Sequence, residues 1–199
     1  MKNENQDTNL SAFIQGFAEH YVNGTASWDI GKPKPPFIKI AQQVVSPVLD
    51  AGCGTGDTAI FFASRGLKVT GIDFVEDAIL KAKAKVEGKN LSVDFFAKDA
   101  TRLNEWDEKF NTVIDSGLLH CIYNKEKYIA GLKHVLASGG KLYVYYFKDD
   151  PSSPNEGISD SALKIFFSDG WEIETIIDSD SEEEIASGWK MKFAVIRKK

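Results

Sequence analysis

The chain is short of several things at once. Among its 199 residues it has two cysteines, Cys53 and Cys121. They are too few and too far apart for a disulfide framework or a zinc cluster, so no metal is expected and a reducing compartment fits. No stretch approaches the ~18 consecutive apolar residues of a membrane span, and the polar start MKNENQDTNL has no apolar signal-peptide core. Positive charge is in deficit: 24 Lys and Arg against 29 Asp and Glu leave a net −5, the wrong sign for gripping a nucleic-acid backbone. The lysine cluster KAKAKVEGK, 81–89, reads as a solvated helix face. There is no internal repeat and no linker. These absences predict a soluble, cytoplasmic monomer or homodimer that engages neither membrane nor nucleic acid. The length suits one domain with a full core.

Glycine, by contrast, is concentrated. VLDAGCGTGD, 48–57, places Gly52, Gly54 and Gly56 in five positions directly after an apolar run. Glycine loses more backbone entropy on folding than any other residue, so such a cluster needs a reason. Close approach of a ligand to bare main chain, at the mouth of a helix rich in free N–H groups, is one.

The surrounding pattern says where that loop sits. FIQGFAEHYV, 13–22, has apolar residues at helical spacing, and NGTASWDIGKPKPPF is a loop leading to a helix near 36–44. From VSPVLDAG onward, strands alternate with helices. The strands are LKVTGID, LSVDFFAKDA, KFNTVIDSGLL and KLYVYYFKD, and the helices include DTAIFFASRG, VEDAILKAKAKVEG, NKEKYIAGLKHVLASGG and ISDSALKIFFSDG. Two strands without an intervening helix, WEIETIID and WKMKFAVIRKK, close the chain around the acidic loop SDSEEEIASG. This predicts an α/β fold: a doubly wound, Rossmann-like, seven-stranded, mostly parallel sheet with helices on both faces and an antiparallel strand at the C-terminal end.

In such sheets ligands bind beyond the strand ends where strand order reverses, and the first strand supplies that point. G-x-G-x-G followed by Asp57 is neither the G-x-G-x-x-G of dinucleotide sites nor a P-loop, and an acidic helix head opposes a polyphosphate. A ligand with a carboxylate and an ammonium suits it better, the ammonium falling to Asp50. Asp73, about 20 residues on, is placed to bind a pair of ribose hydroxyls. Asp99 can accept from an adenine amino group, and Asp115 ends the fourth strand, so four strands end in aspartates on one sheet edge.

These residues resemble the class I S-adenosylmethionine-dependent methyltransferases. VLDAGCGTGD is similar to that family's first motif, VTGIDF to its second, AKDA to its third and FNTVIDSGLLH to its fourth, over roughly residues 44–199. The segment WDIGKPKP, 28–35, followed later by DSGLLH, is similar to the thiol and thiopurine S-methyltransferase-like branch, near the tellurite-resistance methyltransferases. The resemblance implies one methyltransferase domain over 1–199, with 1–45 as a helical cover or lid and 46–199 as the core. It implies S-adenosylmethionine as cofactor, S-adenosylhomocysteine as product, and binding through Trp28, Asp50, Gly52, Gly54, Gly56, Asp73, Phe74, Asp99, Ala100, Asp115 and Ser116. It also implies a small-molecule acceptor: a thiol, a thiopurine or a metalloid.

Groups that follow the fourth and fifth strands are candidates for the acceptor side: His120, Cys121, Tyr123, Tyr145 and Tyr146. His120 and Tyr146 are the candidate catalytic residues. Tyr145 and Tyr146 point to opposite faces of one strand, so at most one reaches the site. No acid–base pair stands out, and a thiol or an already ionised acceptor needs none. Two alternatives remain open at this point: a nicotinamide-dependent oxidoreductase and a non-catalytic binder of S-adenosylmethionine.

Overall fold

Short β-branched and aromatic runs bounded by glycines give a seven-stranded sheet in the order β3-β2-β1-β4-β5-β7-β6. The computed structural model describes residues 14–151, 157–179, 188 and 190–199. The polar first ten residues and most of the acidic loop before β7 therefore lie outside the described residues.

The described part of the first helix, α1, is 14–23. Then follow α2 (Pro35–Lys39), β1 (Val48–Ala51), α3 (Asp57–Ser64), β2 (Val69–Asp73), α4 (Glu76–Val86) and β3 (Val93–Ala97). A 3-10 turn at Ala100–Glu105 leads to β4 (Phe110–Ser116), α5 (Leu118–Cys121), α6 (Lys125–Val135) and β5 (Leu136–Phe147). Helix α7 (Asp160–Phe166), β6 (Trp171–Ser179) and β7 (Met191–Lys198) complete the chain. Strands β1 to β5 pair in parallel, while β7 lies antiparallel between β5 and β6. The fold is the Rossmann-like sheet expected from the sequence. No helix among the described residues is long and apolar enough to cross a membrane.

Two boundaries differ from expectation. The α6 helix stops at Val135, and Leu136 already belongs to a 12-residue β5 that takes in the glycine pair 139–140. That pair accommodates an irregularity between Phe110 and Thr112 in the β4–β5 register. Gly140 needs bare backbone there, since a Cβ would come within 3.0 Å of the Asn111 carbonyl. The fourth strand likewise ends at Ser116, and Leu118–Leu119 turn into α5. Gly117 supplies the left-handed corner, with φ 99°.

The sheet separates two apolar layers. One side buries Leu49, Ile72, Val113, Tyr128, Leu132, Val144 and Tyr146, and the other Phe37, Val48, Phe62, Ile114, Tyr143, Tyr145 and Phe193. A third, smaller cluster joins α1 to the start of α4: Phe17, Ala18, Tyr21 and Trp28 pack on Phe74, Val75 and Ala78. The stretch from Phe17 to Trp28 thus rests on the lip beyond β2, outside both main layers. Strand order reverses between β1 and β4, and this lip overlooks that point.

Candidate functional site

Beyond the C-terminal ends of β1, β2 and β4 lies a cleft of about 850 Å³. Its floor includes Gly52, Asp73, Phe74 and the Ser116–Gly117 turn. Its roof is Phe17, Tyr21 and Trp28 from the N-terminal segment, and its far wall is His120, Tyr145, Phe147 and Met191.

The glycine loop is positioned by hydrogen bonds to its neighbour strand. The Gly54 N–H donates to Asp73 Oδ2 at 2.9 Å, and the Val75 N–H donates to Asp73 Oδ1 at 2.9 Å. Burial raises the Asp73 pKa, against these N–H donors. Gly54 has φ 53°, and a Cβ on it would lie 2.7 Å from the Tyr21 hydroxyl. Bare backbone here admits Tyr21, whose hydroxyl accepts from Trp28 Nε1–H at 2.9 Å. A second tie fastens the cover: the Thr55 hydroxyl donates to Asp29 at 2.8 Å, and Lys85 donates to Thr55 at 2.6 Å and to Asp57 at 2.8 Å. The acidic head of α3 is thereby paired.

Asp50 is 1% exposed, and neither carboxylate oxygen has a side-chain partner or a backbone hydrogen bond of good geometry. Burial raises its pKa to about 7, with Asp115, Asp73 and Asp57 adding to the rise and the Ala59 N–H opposing it. It borders a cavity of about 80 Å³ shared with Trp28, Gly52, Gly54, Thr55 and Ser116. An orphaned buried carboxylate beside a glycine cradle fits a cationic group, as in the ammonium of S-adenosylmethionine.

At the other end, Phe74, Asp99, Ala100, Cys121 and Tyr123 line a slot of about 20 Å³ next to Asp73. Asp99 caps the 3-10 turn, accepting from the Thr101 N–H and hydroxyl at 2.8 Å each and from the Tyr123 hydroxyl at 2.8 Å. The slot has the volume of about one water.

Three expected site residues are placed elsewhere. Asp115 is fully buried and lines none of these cavities: it accepts from the Leu118 and Leu119 N–H groups at 2.8 and 3.2 Å and from the Tyr128 hydroxyl at 2.8 Å. The register explains it. Ala51, not Asp50, pairs with Asp115, so the two aspartates point to opposite faces and there is no row of four. Gly56 likewise lines none of these cavities; its bare Cα admits the Phe95 ring, which a Cβ would meet at 2.7 Å. Tyr146 is fully buried among Leu119, Leu163 and Ala194, away from the cleft, while Tyr145 reaches it. The structure brings the remaining candidates, Trp28, Asp50, Gly52, Gly54, Asp73, Phe74, Asp99, Ala100, Ser116 and His120, to the walls of these cavities.

The sequence reading missed Tyr21, Phe17, Phe147 and Met191. For the first two, a signal existed: Phe17 and Tyr21 stand four apart on the apolar stripe of α1. Phe147 and Met191 meet through β5–β7 pairing, which has no local mark.

Residues 48–140 match the family model described as a methyltransferase domain. A 2-heptyl-1-hydroxyquinolin-4(1H)-one methyltransferase of Mycobacteroides abscessus is 30% identical over 182 residues, 87% of this chain and 80% of that protein. An uncharacterised methyltransferase of Schizosaccharomyces pombe is 42% identical over 108 residues, 53% of this chain and 74% of its own length. The solved 1,6-didemethyltoxoflavin-N1-methyltransferase of Burkholderia thailandensis, with its acceptor and S-adenosylhomocysteine bound, superposes with a TM-score of 0.79 at 20% identity, over 96% of this chain and 89% of that one. Its likeness speaks for the fold. Family membership removes the nicotinamide alternative, and with the cleft, the glycine cradle and the orphaned carboxylate already in place, the chain belongs to the class I methyltransferases that use S-adenosylmethionine.

Proposed function

We propose that this methyltransferase acts on a small, planar, heteroaromatic acceptor. The observation that carries the reading is the lining of the cleft: Tyr145, Phe147 and Met191 share a space of about 850 Å³ with Phe17 and Trp28, room for a flat ring system. Apolar and aromatic walls with a few polar groups are how proteins take up such molecules. The relative from Mycobacteroides abscessus is named for a hydroxyquinolone, which agrees in kind. Alkyl thiols and metalloid oxyanions, by contrast, leave these walls unfilled.

S-adenosylmethionine supplies an electrophilic methyl group on a sulfonium. The chain's residues hold and align. In this reading Asp73 would hold the ribose hydroxyls, Phe74, Asp99 and Ala100 the base, and Asp50, Gly52, Gly54 and Ser116 the amino-acid end, all of them residues that line the cavities. Trp28 closes over the cleft and, with the other aromatics, excludes water. Displacement at a methyl group gains mostly from alignment, worth about 7–11 kcal/mol when well set.

The test is S-adenosylhomocysteine release with 1-hydroxyquinolones, thiopurines, alkyl thiols and tellurite as acceptors. Turnover with planar heteroaromatics and little with alkyl thiols or tellurite is expected. Tellurite or an alkyl thiol as the best acceptor would overturn the reading.

A further inference from the structure

We propose that His120 serves the acceptor as a hydrogen-bond donor through Nε2, not as a base, and that the site is built for an acceptor arriving as an anion. The proposal rests on the methyltransferase reading above and adds the ionic state of the substrate.

Ser116 and Tyr145 are the last pair of the β4–β5 ladder, so β4 offers no carbonyl to Phe147. The neighbouring Lys148 N–H turns to the Lys190 carbonyl instead. The Phe147 N–H is directed at His120 Nδ1, 3.4 Å away. A backbone N–H only donates, so Nδ1 must present its lone pair. The Phe147 ring packs against the imidazole at 4.4 Å, fixing its plane. In a neutral imidazole whose Nδ1 accepts, the proton sits on Nε2. Nε2 has no partner among the described residues, is not among the buried polar atoms left unpaired, and belongs to a side chain that lines the cleft. It is an N–H directed at the acceptor half.

The surroundings keep this ring neutral. Burial first, and the Lys125 charge second, lower its pKa to about 4. Taking a proton would require giving up the Phe147 contact and charging a buried ring. The other groups on this wall are no better as bases: burial pushes the Cys121 thiol up to about 12. Among the described residues the charged groups lining the cleft are Lys34, Lys125 and Asp73, and Asp73 lies at the glycine-loop end with both oxygens engaged. Lys125 and an imidazole N–H on a wall whose described lining carries no carboxylate describe a place for negative charge.

The reaction then balances without a proton. A lone pair of the anionic acceptor forms the bond to the methyl carbon, the carbon–sulfur bond breaks with its pair on sulfur, and the opposite charges cancel. Suitable acceptors are heteroaryl oxides, N-oxide anions and aryl thiolates with acid constants near or below neutrality.

The experiment uses ring-substituted thiophenols and 1-hydroxyquinolones of graded acidity, with 15N NMR of the full chain. The expected kcat/KM rises with pH to a plateau set by each acceptor's own pKa. His120→Gln, which keeps a donor near Nε2, stays within about tenfold of the wild type, whereas His120→Ala raises KM by more than about tenfold. The His120 nitrogens show the Nε2–H tautomer between about pH 5 and 8, with and without S-adenosylhomocysteine. An apparent pKa shared by all acceptors and lost in His120→Gln, or an Nδ1–H tautomer, overturns the proposal. If none of these acceptors is turned over, the reading of the acceptor class fails separately. The tautomer then still decides the role of His120, together with tighter binding of thiophenolate than of thiophenol to the S-adenosylhomocysteine complex.

Discussion

The Gly54 N–H donates to Asp73 at 2.9 Å, so the loop after β1 and the end of β2 form one unit. Asp73 therefore has two duties. Asp73→Ala removes the acceptor for both the Gly54 and Val75 N–H groups as well as the proposed ribose contact. Cofactor affinity should fall by about 2–3 kcal/mol and the unliganded protein should lose about 1–3 kcal/mol of stability. Calorimetric titration and urea denaturation measure the two separately; a variant that binds weakly at full stability would deny Asp73 its part in the loop.

Asp50 links stability to pH. Its folded pKa is raised from 3.8 to about 7, so the native state holds the proton more tightly than the unfolded chain. The sign follows: stability falls as pH rises from about 4 to about 7, and above 7 the loss is complete. Asp115, raised by burial to about 6, acts in the same direction. Asp50→Asn should thus melt close to wild type near pH 4 and increasingly above it as pH approaches 8, by about 2–4 °C per kcal/mol recovered. The same variant should bind S-adenosylmethionine more weakly at pH 8. Parallel melting curves at all pH values would show that Asp50 is solvated.

Trp28 belongs to the small third cluster and bonds to Tyr21, outside the two main layers. Trp28→Ala should lower cofactor affinity and turnover while leaving the unliganded Tm within a few degrees. Hydrogen exchange over 14–34 should slow on adding S-adenosylhomocysteine, as for a cover drawn from the less stable part of a fold. Unfolding of the variant, or equal exchange in both states, would make Trp28 a core residue.

Gly54 and Gly56 separate two kinds of glycine. Gly56→Ala drives a Cβ into the Phe95 ring at 2.7 Å and the Ala82 methyl at 3.0 Å, at φ 84°. It should cost about 1–3 kcal/mol of stability. Gly54→Ala also bears the strain of its left-handed φ of 53°, but its Cβ meets only the end of Tyr21, a side chain that can move, so it should cost less stability than Gly56→Ala and show chiefly as weaker cofactor binding. Equal stability losses in the two variants would refute the distinction.

Much of this could be read from residue order. Alternating apolar runs closed by glycine gave the succession of strands and helices along the chain, because periodicity and helix ends are local. Asp73 and Asp99 were legible because each sits at a strand end with known spacing from the loop. Asp115 was not, since its direction depends on the Ala51–Asp115 register, one residue away from the pattern suggested by counting aspartates. Tyr146 and Tyr145 differ only in strand parity, which nothing nearby fixes. The aromatic wall of Phe147 and Met191 is a pairing across 44 positions (191 − 147), invisible to any short window.

Placing β7 between β5 and β6 gives the molecule an order of assembly. During synthesis, β1 to β4 and their helices can pair as they emerge, and with them the glycine loop and Asp73. β6 pairs only with β7, which follows it in the chain. The edge of β5 and all of β6 must therefore wait, unpaired, for Met191–Lys198. The glycine loop and Asp73 belong to strands that come early in the chain, whereas the wall carrying Met191 is completed only by the last strand, so the two ends of the cleft are built from early and late parts of one sheet.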